Sequence, residues 1–116
     1  MNIDSALFFQ ALSDQTRLRC LALIQAAGEL CVCELTQALS LAQPKISRHL
    51  GVLREIGVAA DRRDGLWVYY RINPDLPAWA RTVIEATVAG IADTEPYAGD
   101  RGNLAQAAAR RERCSA

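Results

Sequence analysis

The chain has 116 residues, 51% of them apolar, and its thirteen basic side chains balance thirteen acidic ones. This is the size of one domain with a single core, and no stretch approaches the roughly 20 apolar residues of a membrane span. A net charge of zero excludes a uniformly basic coat for nucleic acid, though not a local basic face.

The opening MNIDSALFF lacks the basic region of a signal peptide, so a cytoplasmic protein is expected. Residues 3 to 12 read as a short amphipathic helix with Leu7, Phe8 and Leu12 as packing residues. Ser13 or Asp14 then caps a second helix from Gln15 to Ala27, closed by Gly28. After Arg19 this helix is apolar nearly all round (Cys20, Leu21, Ala22, Leu23, Ile24), which places it in the middle of the domain.

Two helical patterns with a tight turn between them follow. Val32, Leu35 and Leu39 define the first. Ser40, Leu41 and Ala42 are too few to cross a domain, and Pro44 stands where a helix start tolerates a missing N–H. In the second pattern Ile46, Leu50 and Leu53 recur at i, i+4 and i+7 until Gly57 ends it. This is the signature of a helix-turn-helix. The apolar line leaves Gln43, Lys45, Ser47 and Arg48 for the outer face, with His49 on the flank. These are the side-chain types that read base edges and phosphates in a major groove. Two basic residues on a helix are unremarkable alone; the turn and the next segment give them meaning.

VAADRR and LWVYYRI are strand-like runs separated by Asp64-Gly65, a hairpin signal. A hairpin directly after a recognition helix is a wing, and Arg62 and Arg63 near its tip are candidates for phosphate or minor-groove contact. Between residues 43 and 71 six basic residues face three acidic ones, so this segment carries a net +3 on an otherwise acidic chain.

Residues 77 to 92 read as a helix with two apolar lines, Trp79, Val83, Ala86 and Gly90 on one, and Ile84, Val88 and Ile91 on the other. One line can face its own domain; the second calls for a second copy of the chain. From Asp93 the sequence turns small and polar and reads as a flexible tail ending near Cys114. The predicted architecture is therefore mainly α with a small β-hairpin, a homodimeric winged helix-turn-helix over residues 1–92 with a tail over 93–116.

Of the four cysteines, Cys20 reads as a small core residue, while the close pair Cys31 and Cys33 suggests a thiophilic ion or redox chemistry in a reducing compartment. ELCVCEL, QPKISRHLGVLREIG and DRRDGLWVYYRI together closely resemble the arsenic-responsive repressors of the ArsR family, over roughly residues 5 to 92. The resemblance implies a dimer on the operator DNA of an arsenic-resistance operon, released when trivalent arsenic or antimony, As(III) or Sb(III), binds its cysteines. It also implies that the helix from Pro44 reads DNA and that the terminal helices form the dimer interface. The family's Cys-x-Cys-x-x-Cys falls here on Cys31, Cys33 and Thr36. A hydroxyl is a poor ligand for a soft ion, so either two thiolates suffice with an external ligand or Cys20 or Cys114 supplies the third. The zinc site of other branches needs histidine on the last helix, which has none, so no zinc site is expected.

Side chains at i and i+2 of a regular helix point about 200° apart. Gripping one ion with Cys31 and Cys33 is therefore expected to unwind the helix start and misplace Arg48. The first alternative is a redox-sensing repressor of the same fold, using the same two cysteines. A small thiol enzyme is a second, disfavoured because the chain has no Cys-x-x-Cys, no phosphate-binding glycine loop and no nucleophile-with-base pattern. A winged helix used only for protein contacts is the third.

Overall fold

A computed structural model describes residues 2–114, with side chains through residue 107. Six helices and three strands follow in the order α1 Ser5–Leu12, α2 Gln15–Ala27, β1 Glu29–Cys31, α3 Val32–Leu39, α4 Gln43–Ile56, β2 Ala59–Asp64, β3 Trp67–Ile72, α5 Ala78–Ile91 and α6 Tyr97–Cys114. Helix α2 starts at Asp14, whose side chain accepts from Arg17 N at 3.0 Å, and ends at Gly28 with φ +90°, a backbone conformation that favours glycine. Cys20 to Ile24 are all buried, so α2 does run through the core. Around it pack Phe8 of α1, Leu35 and Leu39 of α3, Ile46, Leu50 and Leu53 of α4, and Ala80 and Ile84 of α5. Removing this much apolar surface from water, at roughly 25 cal/mol per Å², is the main force holding α3 and α4 in register.

The turn between α3 and α4 is as short as the sequence indicated, with Ser40 in the left-handed region at φ 54°. Helix α4 ends at Gly57, φ 99°, whose N–H bonds back to Leu53 and Arg54. The expected hairpin forms β2 and β3, paired from Ala59↔Ile72 to Asp64↔Trp67. Its sheet holds a third strand: β1 pairs with β3 through Glu29↔Arg71, Leu30↔Tyr70 and Cys31↔Tyr69, giving the antiparallel order β1-β3-β2. The architecture is a winged helix-turn-helix, mostly helical with a small antiparallel sheet. Among the described residues no helix is long and apolar enough to cross a membrane.

The segment from Asp93 departs from the flexible tail expected of it. Helix α6 starts at Tyr97 and packs on α3 and α2. Its polar composition hid this, because it docks through small residues such as Ala107 and through a buried Asp100 paired with Arg19 at 2.8 Å, instead of through an apolar stripe. A buried carboxylate reads as a surface residue unless its partner is known.

Candidate thiol site and nucleic-acid interface

Cys31 ends one element and begins the next. It is the last residue of β1, paired with Tyr69, and it is also the N-cap of α3, with extended backbone at φ −81° and ψ 157°. Its sulfur accepts from Glu34 N at 3.4 Å, and Glu34 Oε1 accepts from Cys31 N at 3.0 Å. This is a capping box with sulfur in the role usually taken by a hydroxyl. Cys31 is fully buried, while Cys33, in the first turn of α3, is half-buried. The two are joined as a disulfide, with Cα atoms 5.4 Å apart.

This geometry corrects the expectation that the thiols could meet only by unwinding α3. The 100° period governs residues inside a helix, and Cys31 lies outside it. Its extended backbone turns its sulfur towards that of Cys33 while α3 is regular from Val32 onward. Two sulfurs that can bond to each other can, once reduced, also reach one ion between them.

Other proposed ligands fit less well. The Thr36 hydroxyl donates to Val32 O at 2.9 Å, turned back along its own helix. Cys20 has no exposed surface, and burial pushes its thiol up to about 12, far from the thiolate a soft ion needs. The side chain of Cys114 lies outside the described residues. Among the described residues no cluster of three or more His, Cys, Asp or Glu side chains is placed to hold a metal ion. The donor set on the page is two sulfurs, suited to a soft thiophilic ion and unsuited to a hard one.

Cys33 and Thr36 open onto a cleft of about 490 Å³ between α3, α4 and the wing, which also includes Gln43, Ser47, Arg63 and Trp67. Cys33 therefore shares one cleft with the candidate DNA-reading residues Gln43, Ser47 and Arg63, while Cys31 lies buried behind it. On α4, Gln43, Lys45, Ser47 and Arg48 are all exposed, opposite the buried Ile46, Leu50 and Leu53. The side chains of Lys45, Arg48 and Arg63 have no ion-pair or hydrogen-bond partner among the described residues, so their charges are available. Leu66, at the wing tip, is 99% exposed.

Two of the predicted DNA-facing residues do something else. His49 is buried, because it lies three residues after Ile46 and four before Leu53, on the edge of the same apolar stripe. Its Nδ1 is 3.2 Å from Arg17 Nη1 and 3.8 Å from Asp14 Oδ1. Arg17 also donates to the carbonyls of Ala11 and Gln10, so this one guanidinium ties the end of α1 to α4. Arg62, predicted near the tip, sits within β2 opposite Tyr69. It binds Glu29 through both nitrogens, at 2.9 and 2.6 Å, and lies over the Tyr69 ring at 4.4 Å. Its hydrogen bonds hold the Glu29 carboxyl below the ordinary range. Arg62 thus braces the wing against β1.

The environment of His49 makes a pH prediction. Burial lowers its pKa below the usual 6.5, Arg17, Arg48 and Lys45 lower it further, and Asp14 opposes them. The unfolded chain therefore takes up this proton before the fold does, and stability is lost as pH falls below about 6.5, at no more than about 1.4 kcal/mol per pH unit. Because this is the chain's one histidine, thermal melts between pH 7 and 5 should show a decline that His49→Gln flattens. An equally steep decline in the variant would assign it to other groups.

The sequence also gave no weight to Arg17, Glu34 or Asp100. Glu34 had a readable signal, a carboxylate three residues after a cap, missed because the cap is cysteine. Arg17 and Asp100 are defined by partners 32 and 81 residues away.

Comparison with known proteins gives this surface a context. A family described as "Bacterial regulatory protein, arsR family" matches residues 14–60. The chain is 56% identical over 80 residues to the arsenic resistance transcriptional regulators ArsR1 and ArsR2 of Pseudomonas putida. That stretch is 69% of this chain, 62% of ArsR1 and 70% of ArsR2. To the arsenical resistance operon repressor of Escherichia coli it is 53% identical over 77 residues, 66% of each chain. Among solved structures, the AntR antimony-specific transcriptional repressor superposes with a TM-score of 0.63 at 27% identity, over 82% of this chain and 88% of that one.

Proposed function

The chain belongs to the arsR family of bacterial regulatory proteins, and on that premise we propose that it is a repressor of an arsenic-resistance operon that leaves its operator when Cys31 and Cys33 take a trivalent metalloid, As(III) or Sb(III). The observation that carries the proposal is that Cys31 and Cys33 meet at the junction of β1 and α3, with Cys33 lining the cleft that α3 forms with the recognition helix and the wing. Exposed Gln43, Lys45, Ser47 and Arg48 on α4, and Arg63 on the wing, take base edges and phosphates. The names of the P. putida and E. coli relatives support arsenic as the signal, and that of AntR supports antimony.

The sulfur of Cys31 is engaged twice in this reading. It caps α3, and its lone pairs are the ones a soft ion would share. Ligation draws Cys31 from the Glu34 N–H and shifts it relative to Tyr69, its ladder partner on the wing strand. Losing a cap costs about 1 kcal/mol, comparable to the 1–3 kcal/mol that couples two sites in a typical switch. The wing and α3 are thereby disturbed together, without α3 having to unwind.

The protein acts as a homodimer in the cytoplasm. Leu7, Phe9 and Trp79 are 43–52% exposed, and Phe9 and Trp79 are 6.4 Å apart, an apolar patch across α1 and α5 for a second copy to cover. Two copies would present two recognition helices to half-sites about one DNA turn, ~34 Å, apart.

The disulfide between Cys31 and Cys33 favours a second reading, a redox-sensing repressor. Fluorescence anisotropy on operator DNA separates the two. Arsenite should release the fully reduced protein, with affinity falling about 5- to 150-fold. Release by peroxide alone, with arsenite inert, would replace the metalloid reading with the redox one.

A further inference from the structure

Helix α3 carries the thiols at one end and runs straight into the recognition-helix turn at the other. The carbonyls at that second end have no partner within α3 itself. Instead Leu39 O accepts from Arg19 Nη2 at 3.3 Å, and Ala38 O accepts from Asn103 Nδ2 at 3.2 Å. Arg19 is fixed in turn by both oxygens of Asp100, each at 2.8 Å, with Asp100 only 3% exposed. Two residues of α6, one turn apart, thus converge on the last two carbonyls before Ser40, directly or through Arg19.

We propose that α6 is a brace for the helix-turn-helix, in which Asp100 and Asn103 act as positioning residues that hold the end of α3, and with it the entry into α4, in the DNA-reading orientation. A buried carboxylate costs free energy to desolvate, and a guanidinium held at both nitrogens recovers it only in one geometry. That rigidity suits a fulcrum. With the far end of α3 fixed, a displacement at Cys31 reaches the turn as a tilt instead of dissipating in a loose helix end. Nothing in the brace touches DNA or the thiols; it acts through Ser40, Leu41 and Ala42.

The inference rests on the DNA-binding reading, and the experiment separates the two. Full-length wild type, Asp100→Asn and Asn103→Ala are compared for operator affinity well below their melting temperatures, at several salt concentrations. Each variant should bind about two- to tenfold more weakly, the size of one hydrogen bond. The salt slope should be unchanged, because no phosphate contact is lost, and the arsenite-induced drop in affinity should shrink. A merely structural role lowers the melting temperature and leaves the affinity of the folded fraction and the arsenite response intact, which would overturn the brace. Asn103 is exposed, so Asn103→Ala folds even where Asp100→Asn does not, and it then decides. Should wild type itself not bind operator, the DNA reading fails. The brace is then judged by hydrogen exchange at the Ser40 to Ala42 amides of Asn103→Ala, where faster exchange supports it and unchanged exchange defeats it.

Discussion

Cys31→Ser should yield a repressor that binds its operator as tightly as wild type and no longer releases it under arsenite. Serine is among the preferred N-cap residues, and Ser-x-x-Glu is the usual form of the capping box. The substitution therefore keeps the bond from Glu34 N and the return bond from Glu34 Oε1, while replacing a soft donor by a hard, protonated one. Cys31→Ala removes donor and cap together, so it should lose the arsenite response and also about 1 kcal/mol of stability. Cys33 caps nothing, and Cys33→Ser should lose the response alone. Anisotropy titrations with and without arsenite, beside thermal melts, check all three. If Cys31→Ser still dissociates at the wild-type arsenite concentration, the sulfur at the strand-helix junction is not the sensor.

Arg48→Ala should weaken operator binding by about 1–3 kcal/mol, roughly 5- to 150-fold, if its exposed guanidinium reads a base edge. The loss should be smaller on DNA of unrelated sequence, since a base contact carries discrimination. Lys45→Ala is the companion: a phosphate contact should be lost about equally on both DNAs, with the salt slope shallower by about 1. Arg62→Ala should differ from both. Its guanidinium is committed to Glu29 and the Tyr69 ring, so its effect should come through the wing's attachment to β1. Unchanged operator affinity in Arg48→Ala would leave α4 without a reading role and favour a winged helix that contacts only protein.

Where a fold signal is periodic, it could be read directly. Ile46, Leu50 and Leu53, with Pro44 before them and Gly57 after, placed α4 almost to the residue, and Asp64-Gly65 placed the hairpin. Most of the errors concern a residue whose role is set by a distant partner; the place of His49 on the apolar stripe and the Glu34 cap were readable locally. Strand β1 is three residues long, too short for a period, and exists because β3 pairs with it. Cys31 was taken as helical because Val32, Leu35 and Leu39 are; its place opposite Tyr69 at the end of the β1–β3 ladder keeps it extended. His49 looked polar and therefore outward, yet it sits on the apolar stripe and meets Arg17. Helix α6 looked like a tail because its anchors, Arg19 and Ala38, lie some 65 to 81 residues earlier. The candidate thiols were visible as a pair. Their meeting without distortion of α3 was not, because that depends on one residue's backbone at the boundary of two elements.

The account stands on two neighbouring thiols, one in a strand and one in a helix, sharing a single metalloid. X-ray absorption at the arsenic edge of arsenite-loaded, fully reduced protein tests this directly. Wild type and Cys20→Ser should each show two protein sulfurs per arsenic, and Cys31→Ser and Cys33→Ser no more than one. A sulfur count that is the same in all four would place the arsenic elsewhere and contradict the account.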